Sequence, residues 1–153
     1  MTSILFVCLG NICRSPTAEF IMKALVREAG QEDQFTIASA ATSRSQWGEP
    51  VYAPAAFQLA RHGISSKGKF AIPMTAADYD KYDLLIGMDN GNIRQMRRIV
   101  GDDPAGKIRL LLSFAGREAE IDDPWYTGDF ETAYREILEG CEGLLRYLQD
   151  YQA

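Results

Sequence analysis

Histidine is almost missing from this sequence, and its scarcity removes a large share of hydrolytic chemistry. His62 is the only one among 153 residues, so a Ser-His-Asp or Cys-His hydrolase would have to use it. It stands immediately before Gly63, a residue type that ends helices, and so reads as a helix terminus rather than a catalytic base. Metal ligation is equally short of material. There is no CxxC, no HxxxH and no clustered Cys/His set, so neither a metal nor another cofactor is expected. Cysteine is scarce and odd in number, three in all, without the spacing of a disulfide framework; this fits a reducing compartment. No apolar run approaches the roughly 18–20 residues of a membrane span, and the N-terminus has neither the basic region nor the cleavage site of a signal peptide. No membrane role is therefore expected, and the cytoplasm is the expected location. A net charge of −5 argues against nucleic acid as a partner. With no linker, low-complexity tract or repeat, the chain reads as one domain over 1–153; a monomer is expected.

What the chain does have is concentrated between Cys8 and Pro16, CLGNICRSP. Ile4-Leu5-Phe6-Val7 is short, apolar and β-prone, and Ser15-Pro16 reads as the N-cap and first position of a helix. Cys8 then closes a strand and faces a helix N-terminus. Backbone N–H groups of Leu9, Gly10, Asn11, Ile12, Cys13, Arg14 and Ser15 can turn inward there as a nest, and the helix dipole adds positive potential. Phosphate or a similar tetrahedral oxyanion is what such a loop holds. Gly10 and Asn11 are residue types that reach left-handed backbone most readily, as a loop folded around a ligand requires. A helix N-terminus with a guanidinium nearby favours a thiolate at Cys8 at neutral pH. Arg14 supplies a planar fork that grips two phosphoryl oxygens where a lysine would offer only a point charge. Ser15 has two readings, a plain N-cap or a hydroxyl that donates to the sulfur and eases its departure.

Joined to the later run Asp122-Asp123-Pro124-Trp125-Tyr126, this motif at the start of the chain resembles the low-molecular-weight protein tyrosine phosphatases, over essentially the whole length. The resemblance implies Cys8 as nucleophile forming a phosphocysteine, Arg14 as phosphate binder, Asp123 as general acid and then base, and phosphotyrosine proteins or peptides as partners. The residues agree with it. An oxygen leaving phosphorus needs a proton, a carboxyl group on a loop above the pocket can deliver it, and the carboxylate so formed can activate water. Asp123 is preferred to Asp122 because it precedes Pro124, which biases it to extended backbone. Trp125 and Tyr126, with Trp47 opposite, are expected to wall a slot deep enough for a phenyl ring. The resemblance suggests that an apolar Ile12 suits tyrosine phosphate, whereas relatives acting on arginine phosphate carry threonine. Two alternatives share the fold: a phosphoarginine phosphatase, and an arsenate reductase that would need a further relay cysteine. Cys141, the only cysteine outside the loop, reads as core. Cys13, five positions after Cys8, can come within disulfide reach and trap oxidation reversibly, or simply pack. Trp-Tyr stands where animal members have Tyr-Tyr, which counts against regulation by paired tyrosine phosphorylation.

The rest of the chain alternates strand and helix patterns: a helix over 16–29, a strand over 35–39, a loop over 40–54 leading to a helix that ends near His62, and a short extended piece over 70–72. A strand over 83–88, a helix over 92–100 and a strand over 108–112 follow. Then come the loop with Asp123 and a last helix opened by Asp129, with Phe130, Tyr134, Ile137, Cys141, Leu144 and Leu148 at helical spacing. Four strands alternating with helices predict an α/β fold, a doubly wound parallel sheet with its site at the strands' carboxyl ends.

Overall fold

Strand β1 (Thr2–Cys8) sends alternate side chains to opposite faces, as the period of a strand requires, and this sorts the molecule into layers. The computed structural model of the protein describes residues 1–152, with side chains described for residues 1–150; the expected domain, 1–153, ends one residue beyond. After β1 come α1 (Arg14–Glu28), β2 (Phe35–Ala41), α2 (Ala53–Arg61), the single turn α3 (Asp78–Lys81), β3 (Leu84–Gly87), α4 (Asn90–Val100), β4 (Ile108–Leu110), the single turn α5 (Pro124–Thr127) and α6 (Phe130–Gln152). The sheet order is β2-β1-β3-β4 with every pair parallel, the four-stranded α/β architecture read from the sequence.

Ile4, Phe6 and Cys8 pack on one face with Ala18, Ile21 and Met22 of α1 and Tyr134, Ile137, Cys141 and Leu144 of α6. Leu5 and Val7 face the other way, into a smaller cluster with Met74, Leu85 and Met96. Covering on both faces is why the first strand reads as an unbroken apolar run. Gly140 and Gly143 let α6 approach closely, since a Cβ at either would collide with Leu111 or with the backbone of Phe114. Among the described residues no helix is long and apolar enough to cross a membrane.

Several boundaries differ from expectation, each for a local reason. The first helix starts at Arg14 with Cys13 as its N-cap, not at Pro16 with Ser15 as cap. The Cys13 carbonyl accepts both the N–H and the hydroxyl of Thr17, at 3.2 and 2.7 Å. Pro16 thus falls in the first turn, where a missing N–H still costs nothing. β2 runs on to Ala41 because Ala40 and Ala41 pair with Val7 and Cys8. Helix α4 begins two residues early, its cap being Asp89, whose Oδ1 accepts from the Asn92 N–H at 2.8 Å. The strand expected to reach Leu112 gives way after Leu110 to a 3₁₀ turn over Leu111–Ala115. The Asp-Pro-Trp-Tyr segment, expected as a loop, winds into α5 and is closed by Gly128 at φ 75°. Asp129 does open the last helix, accepting from the Thr132 N–H at 2.9 Å. The chain leaves β1 toward β2 on one side and returns to β3 on the other. The segments after β1 and β3 therefore diverge and open a crevice at the carboxyl end of β1, where Cys8 stands.

Candidate active site

The loop from Cys8 to Arg14 is bent into place by the partners of its carbonyls. The carbonyls of Cys8, Leu9 and Ile12 accept from the N–H groups of Thr42, Ser43 and Tyr52 at 3.0, 3.0 and 2.8 Å. Asn11 takes the left-handed conformation at φ 57°, one of the few non-glycine types that does so at low cost. Gly10 does not adopt positive φ; its need is space, because a Cβ there would sit 3.3 Å from Gln46 Cγ. Asn11 is buried and works as a strut. Its Nδ2 donates to Ser15 Oγ at 2.7 Å and to Ser39 Oγ at 3.0 Å, and its Oδ1 accepts from the Ile72 N–H at 3.2 Å. Ser39 in turn donates to Glu19 Oε1 at 2.6 Å. Lys69, whose Nζ lies 3.7 Å from that carboxylate and donates to the Ser39 carbonyl at 2.9 Å, closes the group from behind. Burial lowers the pKa of Lys69, with Glu19 pulling the other way.

With Cys13 as the cap of α1, the plain-cap reading of Ser15 falls. The hydroxyl is no cap; its oxygen lies 3.0 Å from Cys8 Sγ, and the Ser15 N–H donates to the same sulfur at 3.4 Å. Ser15 Oγ accepts from both Asn11 Nδ2 and the Cys8 thiol, which leaves its own hydrogen to donate to the sulfur once the thiol is ionised.

Arg14 is 2% exposed and held from three directions. Its NH1 donates to Asp89 Oδ2 at 2.7 Å and to the Ile121 carbonyl at 2.8 Å, and NH2 lies 3.4 Å from Asp123 Oδ2. Burial works against the charge, but Cys8, Asp89 and Asp123 outweigh it and hold the guanidinium above its ordinary pKa. Asp123 caps α5, accepting from the Trp125 N–H at 3.0 Å through Oδ1, while Asp122 faces outward and is exposed. The Cys13 thiol is pushed up to about 12 by burial, then by the charges of Cys8 and Asp123, against the pull of Arg14. It is therefore a neutral thiol where the loop works. All three cysteines are free.

Together these residues border a cleft of about 150 Å³ lined by Cys8, Leu9, Gly10, Ile12, Cys13, Arg14, Ser45, Gln46, Asp123, Trp125 and Tyr126. The structure thus gathers nearly all the residues singled out in the sequence, with Asn11 and Ser15 standing behind the loop rather than in the cleft. Trp125 and Tyr126 form an aromatic lip, 50% and 77% exposed. Trp47 does not line the cleft. It is turned to solvent at 60% exposure, with the Arg44 guanidinium 5.5 Å from its ring, and Ser45 and Gln46 make the wall expected of it. His62 is remote, stacked on Tyr134 at 4.3 Å. Asp89 went unnoticed in the sequence, although Asp-Asn-Gly-Asn directly after an apolar strand is the signature of a capped helix. Nothing in the sequence marked Glu19, Ser39 or Lys69.

Comparison with known proteins places this geometry in context. Residues 3–153 match the family described as low molecular weight phosphotyrosine protein phosphatase. The chain is 39% identical over 151 residues, 97% of each chain, to the low molecular weight protein-tyrosine-phosphatase YfkJ of Bacillus subtilis (strain 168). It is 36% identical over 148 residues, 94% of this chain and 93% of the other, to the low molecular weight phosphotyrosine protein phosphatase of Gallus gallus. The crystal structure of YfkJ superposes with a TM-score of 0.96 at 38% identity, covering 100% of this chain and 98% of that one.

Proposed function

The chain belongs to the low-molecular-weight phosphotyrosine protein phosphatase family, and from that premise we propose that it hydrolyses phosphotyrosine in proteins or peptides through a phosphocysteine. One observation carries the reading: a sulfur at the carboxyl end of β1 shares a cleft with a buried, triply held guanidinium, and a carboxylate approaches that guanidinium at 3.4 Å. The Cys8 thiolate attacks phosphorus as the bond to the phenolic oxygen breaks, and the Asp123 carboxyl gives that oxygen its proton. Arg14 and the N–H groups left free by the outward-bonded carbonyls balance the charge on the three remaining oxygens. In the second step the Asp123 carboxylate takes a proton from water, which attacks phosphorus and displaces the Cys8 sulfur. The Ser15 hydroxyl and N–H receive the negative charge returning to it. No step calls for a metal or cofactor.

The aromatic lip of Trp125 and Tyr126 and the apolar Ile12 suit a phenyl ring. Cys141 is wholly buried against Ala18 and offers no relay for arsenate reduction. The three free thiols suit a reducing compartment such as the cytoplasm, and a monomer is part of the same proposal. On oxidation, a sulfenic acid at Cys8 condenses with the Cys13 thiol, releasing water and forming a disulfide that a thiol reductant reopens.

The test separates the two aspartates by leaving group. Asp123→Asn should slow single-turnover release of phenol from phenyl phosphate by roughly 10²–10⁴-fold, the range of general acid catalysis. Release of nitrophenol from a nitrophenyl ester should slow far less, because that oxygen leaves without a proton. Asp122→Asn should do little on either. Equal losses on the two esters, or a larger effect at Asp122, would remove Asp123 as the proton donor.

A further inference from the structure

Tyr52 lines no part of the cleft, yet it touches both halves of it. Its N–H donates to the Ile12 carbonyl at 2.8 Å, and its own carbonyl accepts from Ala55 and Ala56 at 2.9 and 3.0 Å, so the residue caps α2. With its backbone fixed on both sides, the ring reaches to the segment that carries Asp123. Its centroid is 4.7 Å from that of Trp125, tilted by 51°, and 5.8 Å from that of Phe130 at the start of α6.

That segment is bonded largely to itself. Tyr126 and Thr127 donate to the Asp123 carbonyl, Gly128 donates to that of Pro124, and Trp125 donates to the Asp123 side chain. Of α5 only Pro124 is buried. Because the Asp123 carboxylate accepts the Trp125 N–H, the position of Trp125 and the aim of the carboxyl group move together.

We infer that Tyr52 is a positioning residue whose ring clasps Trp125 and so fixes the orientation from which Asp123 delivers its proton. The clasp ties the acid to the same phosphate-binding loop that carries the nucleophile, through the bond from Tyr52 to Ile12. The inference rests on the reading of Asp123 as general acid. One aromatic pair of this kind supplies a bias of about two- to tenfold, and that sets the size of the effect.

The experiment compares Tyr52→Ala, Tyr52→Leu and Tyr52→Phe in single-turnover release of phenol from phenyl phosphate and of nitrophenol from a nitrophenyl ester. Tyr52→Ala and Tyr52→Leu should lose about two- to tenfold on the phenyl ester and stay near the parent rate on the nitrophenyl ester. Tyr52→Phe, which keeps the ring, should match the parent on both. In an Asp123→Asn background, Tyr52→Leu should add no further loss on the phenyl ester. Independently of activity, the fluorescence anisotropy of Trp125, read in Trp47→Phe protein, should fall when Tyr52 becomes leucine. Equal losses on both esters, a further loss without Asp123, failure of phenylalanine to rescue, or unchanged anisotropy would each overturn the clasp. If Asp123→Asn itself fails to separate the esters, the acid reading falls and takes the clasp's catalytic role with it. If Asp123→Asn separates them and Tyr52→Leu does not, the clasp alone falls.

Discussion

Asp89 has two oxygens with two jobs, and replacing it by asparagine forces the protein to give one of them up. Oδ1 accepts from the Asn92 N–H at 2.8 Å and caps α4; Oδ2 accepts from Arg14 NH1 at 2.7 Å. In Asp89→Asn the single remaining oxygen can serve the cap, which leaves the amide NH₂ facing the guanidinium as donor against donor. If it turns to serve Arg14, the cap is lost instead. The first arrangement is expected, because asparagine is as good a cap as aspartate and the Ile121 carbonyl still holds NH1 at 2.8 Å. A hydrogen bond to a charged group contributes about 1.5–3 kcal/mol. If this loss appears as disorder of Arg14 in the transition state, it lowers kcat/KM by roughly 10–150-fold. The surviving Ile121 bond pulls the expectation toward the lower end, about 10–30-fold. Asp89→Ser is the control, since its hydroxyl keeps the cap without opposing Arg14 and should be the milder change. The assay is kcat/KM on an aryl phosphate together with inhibition by inorganic phosphate, with urea midpoints to show that both variants are folded. A folded Asp89→Asn enzyme within twofold of the parent, with unchanged phosphate inhibition, would show that Asp89 does not hold Arg14 for catalysis.

Two further outcomes follow from the cysteines. The unfolded Cys13 thiol ionises near 9.0 and the folded one at about 12, so between those values only the unfolded chain gives up its proton. Stability from this site is therefore intact below pH 9 and is lost as pH rises through that window. Cys141, raised by burial, acts in the same direction. Urea midpoints should fall above about pH 9, and less steeply in Cys13→Ala; identical slopes would mean that Cys13 is not held protonated by the fold. Brief peroxide exposure should inactivate the enzyme and dithiothreitol should restore it, with a Cys8–Cys13 crosslink seen by mass spectrometry between the two treatments. Unchanged recovery in Cys13→Ala would return Cys13 to a packing role.

Much of the candidate site was legible because it is local. Cys8, Arg14 and the residues between them lie within one strand–loop–helix turn, where backbone rules and residue type leave few options. The strand period of β1, the apolar stripe of α6 and the turn chemistry around Asp129 are likewise properties of short windows, and they carried the α/β architecture. Ser15 shows where local reasoning stops short. Serine before proline looks like a cap, but the helix begins two residues earlier because the Cys13 carbonyl finds Thr17, and the hydroxyl is left for the sulfur.

What the tertiary structure alone decided involves partners far apart in the chain. Arg14 meets Asp89 and Ile121 across 75 and 107 positions, and Asn11 meets Ser39 and Ile72 across 28 and 61. No periodicity or motif encodes such pairings, since they exist only once the sheet sets β2 and β3 on either side of β1 and the loops close over its end. Trp47 makes the same point in reverse. Its aromatic ring suited the rim by type, yet the turn from Arg44 that sets its N–H on the Arg44 carbonyl at 3.2 Å turns Ser45 and Gln46 to the cleft and Trp47 to solvent. The sequence by itself determined the strand–loop–helix turn that carries Cys8 and Arg14, because those residues are neighbours along the backbone and short-range rules govern them. Which carboxylates aim the arginine, and which wall receives the ring, depended on the packing of segments that only the fold brings together.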